Sequence, residues 1–529
     1  MERLLFMAYA SCLVLIAGLP AAADSLAQRP NVILVMADDL GWSDIGCYGG
    51  EIPTAHIDSL ARDGLRFTQF YNNAICGPTR ASLLTGLYCQ QVGHRGDRWN
   101  EPKDFGKCVT VAELLQAAGY RTIMVGKWQG RDLPADRGFD RFFGPMCQAK
   151  ISYFHEVEQN PFRLDREPWE LPQEFYLTDA INEFAVQFLE EAVDREQPFF
   201  LYVSHIAPHW PLHAREAAIA PHRQRYREHG WDQWRWRRFH KQRELGVISG
   251  SWELSPRPAS ILDWAADSHQ DWQAERMAVY AAQVAAIDRG VGELLEIVRK
   301  AGEADNTLVM FLSDNGAAPD GELAPTPGGF GFTPNAKNAH WRKDGVPIRP
   351  GSGPDNLPGP HDTFAAYGLA WANVSNTPLR GTKLTGYEGG IRTPLIVRWP
   401  AVVRQHGGLT DQVGHVIDIM ATCLEVAGEP YPAEFDGRKP LPMEGKSLLP
   451  IFQDRQRPGH DVLCWSVPQH HAIRMGRWKA IRPSGGGAWQ LYDLEADGTE
   501  TVDLAARHPE RTEELAVRFE KWRERVGAK

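Results

Sequence analysis

Short apolar runs, most of them followed by charged or polar residues, constrain the fold more than any other feature of this sequence. They cover residues 31–36, 122–125, 199–203, 307–312 and 395–398. Runs rich in Val, Ile, Leu, Met and Phe are typical of strands buried on both faces, as in a parallel sheet. Segments with helical spacing, at 111–118, 180–193 and 276–300, alternate with the runs. We therefore predict an α/β fold with a large mixed, mostly parallel sheet flanked by helices.

The chain is long enough for two domains. Its 529 residues exceed what one hydrophobic core usually organises. Past about residue 440, short strand-like pieces at 472–475, 478–481 and 489–492 precede a helical segment near 510–526. We predict a large domain over 27–440 and a small α+β domain with an antiparallel sheet over 441–529. The Gly/Pro-rich stretch 319–360 is interpreted as a long ordered loop or a lid.

The N-terminus has the pattern of an export signal. A basic Arg3 precedes an apolar run over residues 4–19, and Ala21 to Ala23 form a small-residue cleavage site. The apolar run is shorter than the ~20 residues of a membrane span. We predict a signal peptide over 1–23, no membrane span in the mature protein, and export to the periplasm or the medium. The net charge of −10 argues against nucleic acid as a partner.

Polar residues cluster directly after four of the predicted strands. Ligands bind at the carboxyl ends of strands in open α/β sheets. Asp38-Asp39 and Asp314-Asn315 are oxygen donors that suit calcium or magnesium. Turn or helix capping is the alternative for each pair alone, but two such pairs after two buried strands favour a metal site.

One segment, CGPTRASLLTG, places Cys76 two residues before Pro78 and four before Arg80, where a helix is expected to begin. A lone cysteine in an exported chain is often a disulfide half or a small buried residue. The segment resembles the sulfatase signature, in which this cysteine is oxidised by a maturation enzyme to formylglycine. The resemblance implies that the hydrated aldehyde at position 76 is the nucleophile and that Arg80 orients it.

Further motifs extend the resemblance over nearly the whole mature chain, particularly to bacterial arylsulfatase-like members. They include Lys127 in Gly-Lys-Trp, His209 in Ala-Pro-His and Lys383 in Pro-Leu-Arg-Gly-Thr-Lys. The resemblance implies an alkaline-phosphatase-like fold in which the two lysines bind sulfate and His209 protonates the leaving group. It also implies one calcium ion, and the residues matching the ligand positions are Asp38, Asp39, Cys76, Asp314 and Asn315.

Two positions depart from the family pattern. Thr79 replaces the usual serine but keeps the hydroxyl, so modification of Cys76 is still expected. Gln129 stands where the pattern Gly-Lys-Trp-His has a histidine that accepts a proton from the nucleophile. Glutamine cannot act as a base near neutral pH. We therefore expect either slow release of sulfate or a substitute base, for which His94 and His205 are candidates.

The sequence leaves three functions open. Hydrolysis of a sulfate ester, carried by a small molecule or a carbohydrate, is favoured by the intact Cys76 motif. Hydrolysis of phosphate mono- or diesters is an alternative on the same fold. A protein that binds sulfated glycans with impaired turnover is the third, and Gln129 is its support. The Trp/Arg-rich segment 223–243 could stack on sugars, although an amphipathic helix packed on the domain is the commoner interpretation.

Overall fold

A computed structural model of the chain describes residues 29–93, 108–146, 152–156, 160–320, 342–349 and 353–528. The predicted signal peptide (1–23) and His94 lie outside these residues, as does half of the Gly/Pro-rich stretch 319–360. In the described part of the chain, no helix is long and apolar enough to cross a membrane.

A large mixed sheet forms the centre of the molecule. Across it the described strands run in the order β10-β2-β9-β8-β1-β7-β3-β4-β5-β6, and β11 pairs with β2. Its strands are β1 (Asn31–Ala37), β2 (Leu65–Tyr71), β3 (Arg121–Gly126), β4 (Arg141–Pro145), β5 (Phe162–Leu164), β6 (Glu167–Pro168), β7 (Phe199–Ser204), β8 (Thr307–Ser313), β9 (Arg392–Arg398), β10 (Gly408–Thr410) and β11 (Gly414–His415).

The middle of this sheet is parallel, as the apolar runs predict. Strands β8, β1, β7, β3 and β4 pair in parallel, whereas β9 runs antiparallel to both β8 and β2. Along β1, Ile33 and Val35 belong to one hydrophobic core, and Val32, Leu34 and Met36 belong to another. Both faces of the strand are therefore buried, which explains why its sequence shows no alternation.

Helices cover both faces of the sheet. The α-helices of the described residues are α1 (Ala55–Arg62), α2 (Cys76–Thr85), α3 (Val111–Ala117), α4 (Leu177–Val193), α5 (Glu216–Glu228), α6 (Trp231–Glu244), α7 (Gln270–Lys300), α8 (Gly368–Ser375), α9 (Glu388–Ile391), α10 (Asp418–Ala427), α11 (Leu449–Phe452) and α12 (Pro509–Val526). The start of α3 is fixed by a capping box, in which Thr110 and Glu113 each accept a hydrogen bond from the other's backbone. The helix predicted over 276–300 begins six residues earlier, at Gln270.

A second sheet lies in the C-terminal part of the chain. Its antiparallel strands are β12 (Leu463–Ser466), β13 (His470–Met475), β14 (Trp478–Pro483) and β15 (Gln490–Asp493). The sequence predicts the last three strands but not β12. Helix α12 packs against β13 and β14 and shares their hydrophobic core through Leu515, Phe519 and Trp522. The antiparallel C-terminal sheet with one packed helix is thus confirmed, while the boundary near residue 440 stays a prediction.

Candidate active site

The predicted site residues follow the carboxyl ends of four neighbouring strands. Asp38 and Asp39 follow β1, Lys127 follows β3, His209 lies five residues after β7, and Asp314 follows β8. Gly126, which ends β3, has a φ of 105°, and a Cβ atom there would lie 2.1 Å from the backbone oxygen of Ser204. Only glycine fits so close an approach of the two strands. The close pairing of β3 with β7 therefore places Lys127, the next residue, near the ends of the other strands.

Four oxygen-bearing side chains meet at the ends of β1 and β8. Asp38, Asp39, Asp314 and Asn315 are all buried. The amide of Asn315 donates to Asp39 Oδ1 over 2.7 Å, and the backbone N–H of Asp39 donates to Asp314 Oδ1 over 3.2 Å. Asp38 Oδ1, Asp39 Oδ2 and Asn315 Oδ1 have no hydrogen-bond partner among the described residues. Buried oxygens without donors are costly unless a cation binds them.

The backbone of Asp39 is itself in an unusual conformation. Its φ is 67°, in the left-handed region that residues other than glycine seldom occupy. Such strain persists where the surroundings fix a side chain for a function. Here it holds the Asp39 carboxylate among Lys383, Asn315 and His209.

Cys76 is the first residue of α2, so its thiol lies at the positive end of a ten-residue helix. Negative charge at this position is stabilised by the helix dipole and by free backbone N–H groups. The amide of Gln129 donates a hydrogen bond to Cys76 Sγ over 3.6 Å. The Cys76 thiol also lies within 4.8 Å of carboxylate oxygens of Asp38 and Asp314. The structure therefore places the thiol of Cys76 between the amide of Gln129 and the acidic side chains.

Arg80, one turn further along α2, is buried beneath Cys76. Its guanidinium donates to Asp314 Oδ2 over 2.7 Å and lies 3.4 Å from Asp38 Oδ2. A further nitrogen donates to Ser204 Oγ, at the end of β7. Arg80 therefore ties α2 to the strand ends, and its role in orienting residue 76 stays a prediction. Ser204 was not singled out from the sequence.

Two buried lysines complete the charged centre. Lys127 Nζ lies 2.5 Å from Asp38 Oδ2, and Lys383 Nζ lies 2.6 Å from Asp39 Oδ1. Lys383 comes from a loop, 376–387, whose backbone N–H groups at Lys383 and Leu384 donate to Ala317 and Ala74. Three cations, Arg80 included, therefore face three carboxylates with almost no access to water.

Burial and neighbouring charges shift the ionisation of these groups in opposite directions. Burial alone raises the pKa of Asp38, but the charges of Lys127 and His209 hold it well below its usual range. Burial and the charge of Asp38 together raise the pKa of Asp314 to about 7. Burial opposes the charge of Lys383, yet Asp39 raises its pKa well above the usual range. Carboxyl groups whose pKa values are pushed apart are frequent in functional sites.

His209 reaches the same cluster from the loop after β7. Its Nε2 lies 3.6 Å from Asp39 Oδ2, and burial lowers its pKa. The neighbouring Trp210 donates to Asp320 Oδ2 over 2.9 Å. Burial raises the pKa of Asp320 to about 6, against the opposing charge of Lys383. Asp320 gave no signal in the sequence, because a single aspartate in a loop cannot be told from an ordinary exposed polar residue.

His205, one of two candidate substitute bases, is buried at the end of β7. The hydrogen bonds that the structure gives it are made by its backbone, to Met36 and Arg80. Burial lowers the pKa of its ring to about 3. Among the described contacts none joins this ring to Cys76, so Gln129 is the side chain that the structure places against the thiol.

The donor set fits a hard divalent cation. Carboxylate and amide oxygens are what calcium prefers, and the three unpartnered oxygens come from Asp38, Asp39 and Asn315. Ligand atoms of Asp38, Asp39 and His209 also lie within 4.8 Å of one another, as do those of Asp38, Cys76 and Asp314. A sheet edge that combines such a donor set, buried cations and a thiol at a helix N-terminus is typical of enzymes that act on anionic esters.

Comparison with known proteins identifies the family. The family model described as Sulfatase matches residues 30–429, and the model described as N-sulphoglucosamine sulphohydrolase, C-terminal, matches residues 382–525. An arylsulfatase of Klebsiella aerogenes is 34% identical over 85% of this chain and 97% of its own length. An uncharacterized sulfatase of Schizosaccharomyces pombe is 32% identical over 92% of each chain.

A solved structure agrees with these relatives. Ps i-CgsB, in complex with k-i-k-neocarrahexaose, matches with a TM-score of 0.65 and 25% identity, over 94% of this chain and 93% of that one. The chain belongs to the sulfatase family, and it is a sulfuric ester hydrolase.

Proposed function

We propose that this protein hydrolyses sulfate esters with a nucleophile made from Cys76 and with one calcium ion. The observation that carries the proposal is the position of Cys76, at the start of α2 and within 4.8 Å of the Asp38 and Asp314 carboxylates. Conversion to formylglycine would give residue 76 an aldehyde, and addition of water to it would give a hydroxyl that attacks sulfur as the bond between sulfur and the alcohol oxygen breaks. Calcium, held by Asp38, Asp39, Asp314, Asn315 and residue 76, would neutralise charge on a sulfate oxygen.

The chain's own residues have separable tasks in this proposal. Lys127 and Lys383 are buried cations on either side of the carboxylates, suited to hold the remaining sulfate oxygens. His209, beside Asp39, would give its Nε2 proton to the departing alcohol, with Lys383 adjacent to the same carboxylate. Arg80 would hold residue 76 in place without contacting the reacting atoms.

The release of sulfate is the step that Gln129 affects. It requires that a proton leave the side chain of residue 76, and the group facing this side chain is an amide. An amide donates and accepts hydrogen bonds but takes no proton near neutral pH. We therefore propose that sulfate release limits turnover. If sulfate release were very slow, the protein would bind sulfated glycans with little turnover, which is the alternative function.

Mass spectrometry and kinetics test the proposal together. After coexpression with a formylglycine-generating enzyme, we expect the peptide containing residue 76 to carry the aldehyde and the purified protein to hydrolyse an aryl sulfate. A Cys76→Ala variant should bind calcium but lose this activity. An unmodified thiol at position 76, together with binding of sulfated sugars, would instead support the binding protein.

Replacement of Gln129 by His tests the limiting step. We expect a burst of alcohol followed by slow turnover in the native protein, and a steady state about 10²-fold faster without a burst in Gln129→His. Gln116→His, on the exposed face of α3, is the matched control and should behave as the native protein. Equal turnover for Gln129→His and the native protein would show that another group accepts the proton.

The proposal also includes a substrate class and a cellular location. Ps i-CgsB was crystallised in complex with k-i-k-neocarrahexaose, which is a statement about that protein. We propose a sulfated carbohydrate or aryl sulfate as substrate here, and export to the periplasm or the medium in line with residues 1–23. A panel of sulfated sugars and one aryl sulfate, assayed with modified protein, separates these substrates.

A further inference from the structure

The Trp/Arg-rich segment forms two helices, α5 and α6, and one surface of α6 is not explained by packing. Trp231 and Trp234 are buried against the domain, as an amphipathic helix requires. Trp236 is 58% exposed, the largest exposed aromatic surface in the described part of the chain. It lines a cleft of about 370 Å³ together with Arg235, Arg257, Asp232, which pairs with Arg257, and apolar side chains such as Leu254 and Ile261.

Arg235 is the second feature of this cleft. Its side chain is buried, with 7% of the residue exposed, yet no carboxylate of the described residues lies in salt-bridge distance. One nitrogen, Nη2, donates to the backbone oxygen and to the hydroxyl of Ser255. Its Nε has no hydrogen-bond partner among the residues that the structure describes. A buried guanidinium without a counterion is costly, and an anion in the cleft would offset this cost.

A neighbouring arginine of the same helix shows what a structural arginine looks like here. Arg238, one turn later, is buried and lies 2.7 Å from both Asp44 and Glu51. Its charge is fully compensated by protein. The other arginine of the cleft, Arg257, is likewise paired, with Asp232 and Asp263. Arg235 therefore differs from its neighbours in lacking a carboxylate at salt-bridge distance. Burial together with Arg257 lowers its pKa to about 10, against the opposing charge of Asp232.

We propose that this cleft, defined by Arg235, Trp236 and Arg257, binds an anionic sugar unit of a glycan, outside the active site. The exposed indole offers a flat apolar face for a sugar ring, and the planar guanidinium of Arg235 suits a sulfate or carboxylate group on the same ring. The two side chains are consecutive in sequence and line one cleft, so both contacts can be made by one sugar unit. The proposal does not require that the bound unit be hydrolysed.

The cleft is fastened to segments that lead into the active site. Ser255, which holds Arg235, donates from its backbone to Pro378, five residues before Lys383. Arg238 of the same helix binds Asp44, five residues after Asp39. These contacts tie the cleft to two segments that carry residues of the candidate active site.

Oxidative footprinting of Trp236 tests this site without relying on activity. The full chain with Cys76→Ala keeps any ligand intact. The probes are a sulfated galactan hexasaccharide, its desulfated form and a hexasaccharide of galacturonic acid. We expect the sulfated or the uronic hexasaccharide, but not the desulfated one, to slow Trp236 oxidation several-fold. Comparison of the sulfated with the uronic hexasaccharide then shows whether the site prefers sulfate or carboxylate. Unchanged oxidation of Trp236 with all three probes, at concentrations that saturate the protein, would overturn the proposal.

Variants of α6 give a second test. Trp236→Ala and Arg235→Gln should each weaken binding of the protecting hexasaccharide about ten-fold. Arg237→Gln removes a positive charge of the same kind two residues after Arg235, outside the cleft. This variant should bind as the unsubstituted protein does. Because Trp236 is exposed, its variant should fold even if Arg235→Gln does not. Equal losses in Trp236→Ala and Arg237→Gln, or no loss in Trp236→Ala, would contradict the site.

In protein with Cys76 intact, Trp236→Ala should leave hydrolysis of a small aryl sulfate unchanged, so failure of the catalytic proposal remains distinguishable.

Discussion

Two buried clusters of charge, one in the candidate active site and one where the C-terminal sheet meets the large sheet, have similar electrostatics and different hydrogen bonding. The second, here called the junction cluster, consists of Tyr71, Glu388, Lys479 and Glu500. Lys479 lies 2.8 Å from Glu388 and 2.7 Å from Glu500, and all three are fully buried. Against the effect of burial, Lys479 lowers the pKa of Glu388, whereas burial and Glu388 raise the pKa of Glu500 to about 7. The active site holds the same kind of pair in Asp38 and Asp314.

The difference lies in the oxygens. In the junction cluster, every carboxylate oxygen has a hydrogen-bond or ion-pair partner within 2.8 Å, supplied by Lys479 Nζ, the Tyr71 hydroxyl or the backbone N–H of Glu388, although the contact of Glu500 Oε1 with Lys479 is an ion pair without hydrogen-bond geometry. In the active site, Asp38 Oδ1 and Asp39 Oδ2 have none among the described residues. Shifted pKa values alone therefore do not separate a catalytic cluster from a structural one. In this protein, the Asp38 and Asp39 oxygens that lack so short a contact distinguish the candidate active site from the junction cluster.

The largest effect should come from replacing Asp314 by Asn. We expect kcat/KM for a sulfate ester to fall about 10³-fold, equivalent to about 4 kcal/mol, because a proposed metal ligand is lost. The free energy of unfolding without calcium should change by less than about 1 kcal/mol, since burial and Asp38 already disfavour the Asp314 charge. Asp305→Asn, at an exposed position, is the control. A strongly destabilised Asp314→Asn protein would remove the contrast with the junction cluster.

Substitution of Lys479 by Met should have the opposite pattern. Two buried carboxylates lose their shared cation, which should lower the free energy of unfolding by about 3 kcal/mol, measured by denaturant titration. Activity per folded molecule should stay near the native value, because Lys479 touches no residue of the active site in the described contacts. Lys521→Met, on the exposed face of α12, controls for the substitution itself. Native stability in Lys479→Met would mean that Glu388 and Glu500 are protonated or solvated.

Calcium should stabilise one cluster and leave the other unaffected. At a concentration about 100 times Kd, the expected gain in the free energy of unfolding is about 2.7 kcal/mol. Lys479→Met should show the same gain as the native protein, and Asp314→Asn should show much less. Thermal unfolding with calcium and with a chelator measures the gain. A full gain in Asp314→Asn would place the ion elsewhere.

The smallest effect concerns pH and the junction cluster. Glu500 titrates at about 7 in the folded protein and near 4.5 when unfolded, so between these values the folded state binds more protons. The free energy of unfolding should therefore fall as pH rises from about 4.5 to 7. In Glu500→Gln this slope should be shallower, whereas the exposed Glu510→Gln should keep it. Saturating calcium in all samples suppresses the titration of Asp314, and identical slopes in all three proteins would contradict the assignment to Glu500.

The sequence predicts the active site better than the junction cluster, for a physical reason. Asp38, Asp314 and Lys127 each follow an apolar run, and the carboxyl ends of parallel strands converge, so local patterns predict their meeting. Glu388 and Glu500 are separated by 112 residues, and no periodicity connects the N–H of one to the carboxylate of the other. Strand β9 was recognised, but its antiparallel direction depends on pairing with both β2 and β8. Long-range pairing is the information that local patterns lack.

The contacts of Lys383 also bear on how the chain acquires its structure. Lys383 and Asp39, its carboxylate partner, are 344 residues apart, and Arg80 and Asp314 are 234 apart. A partly synthesised chain therefore lacks the lysine that pairs with Asp39 until residue 383 has been added. Closing loops of this length before they gain contacts slows folding. Assembly of the catalytic centre should consequently be a late event in refolding, and earlier species should be compact but inactive.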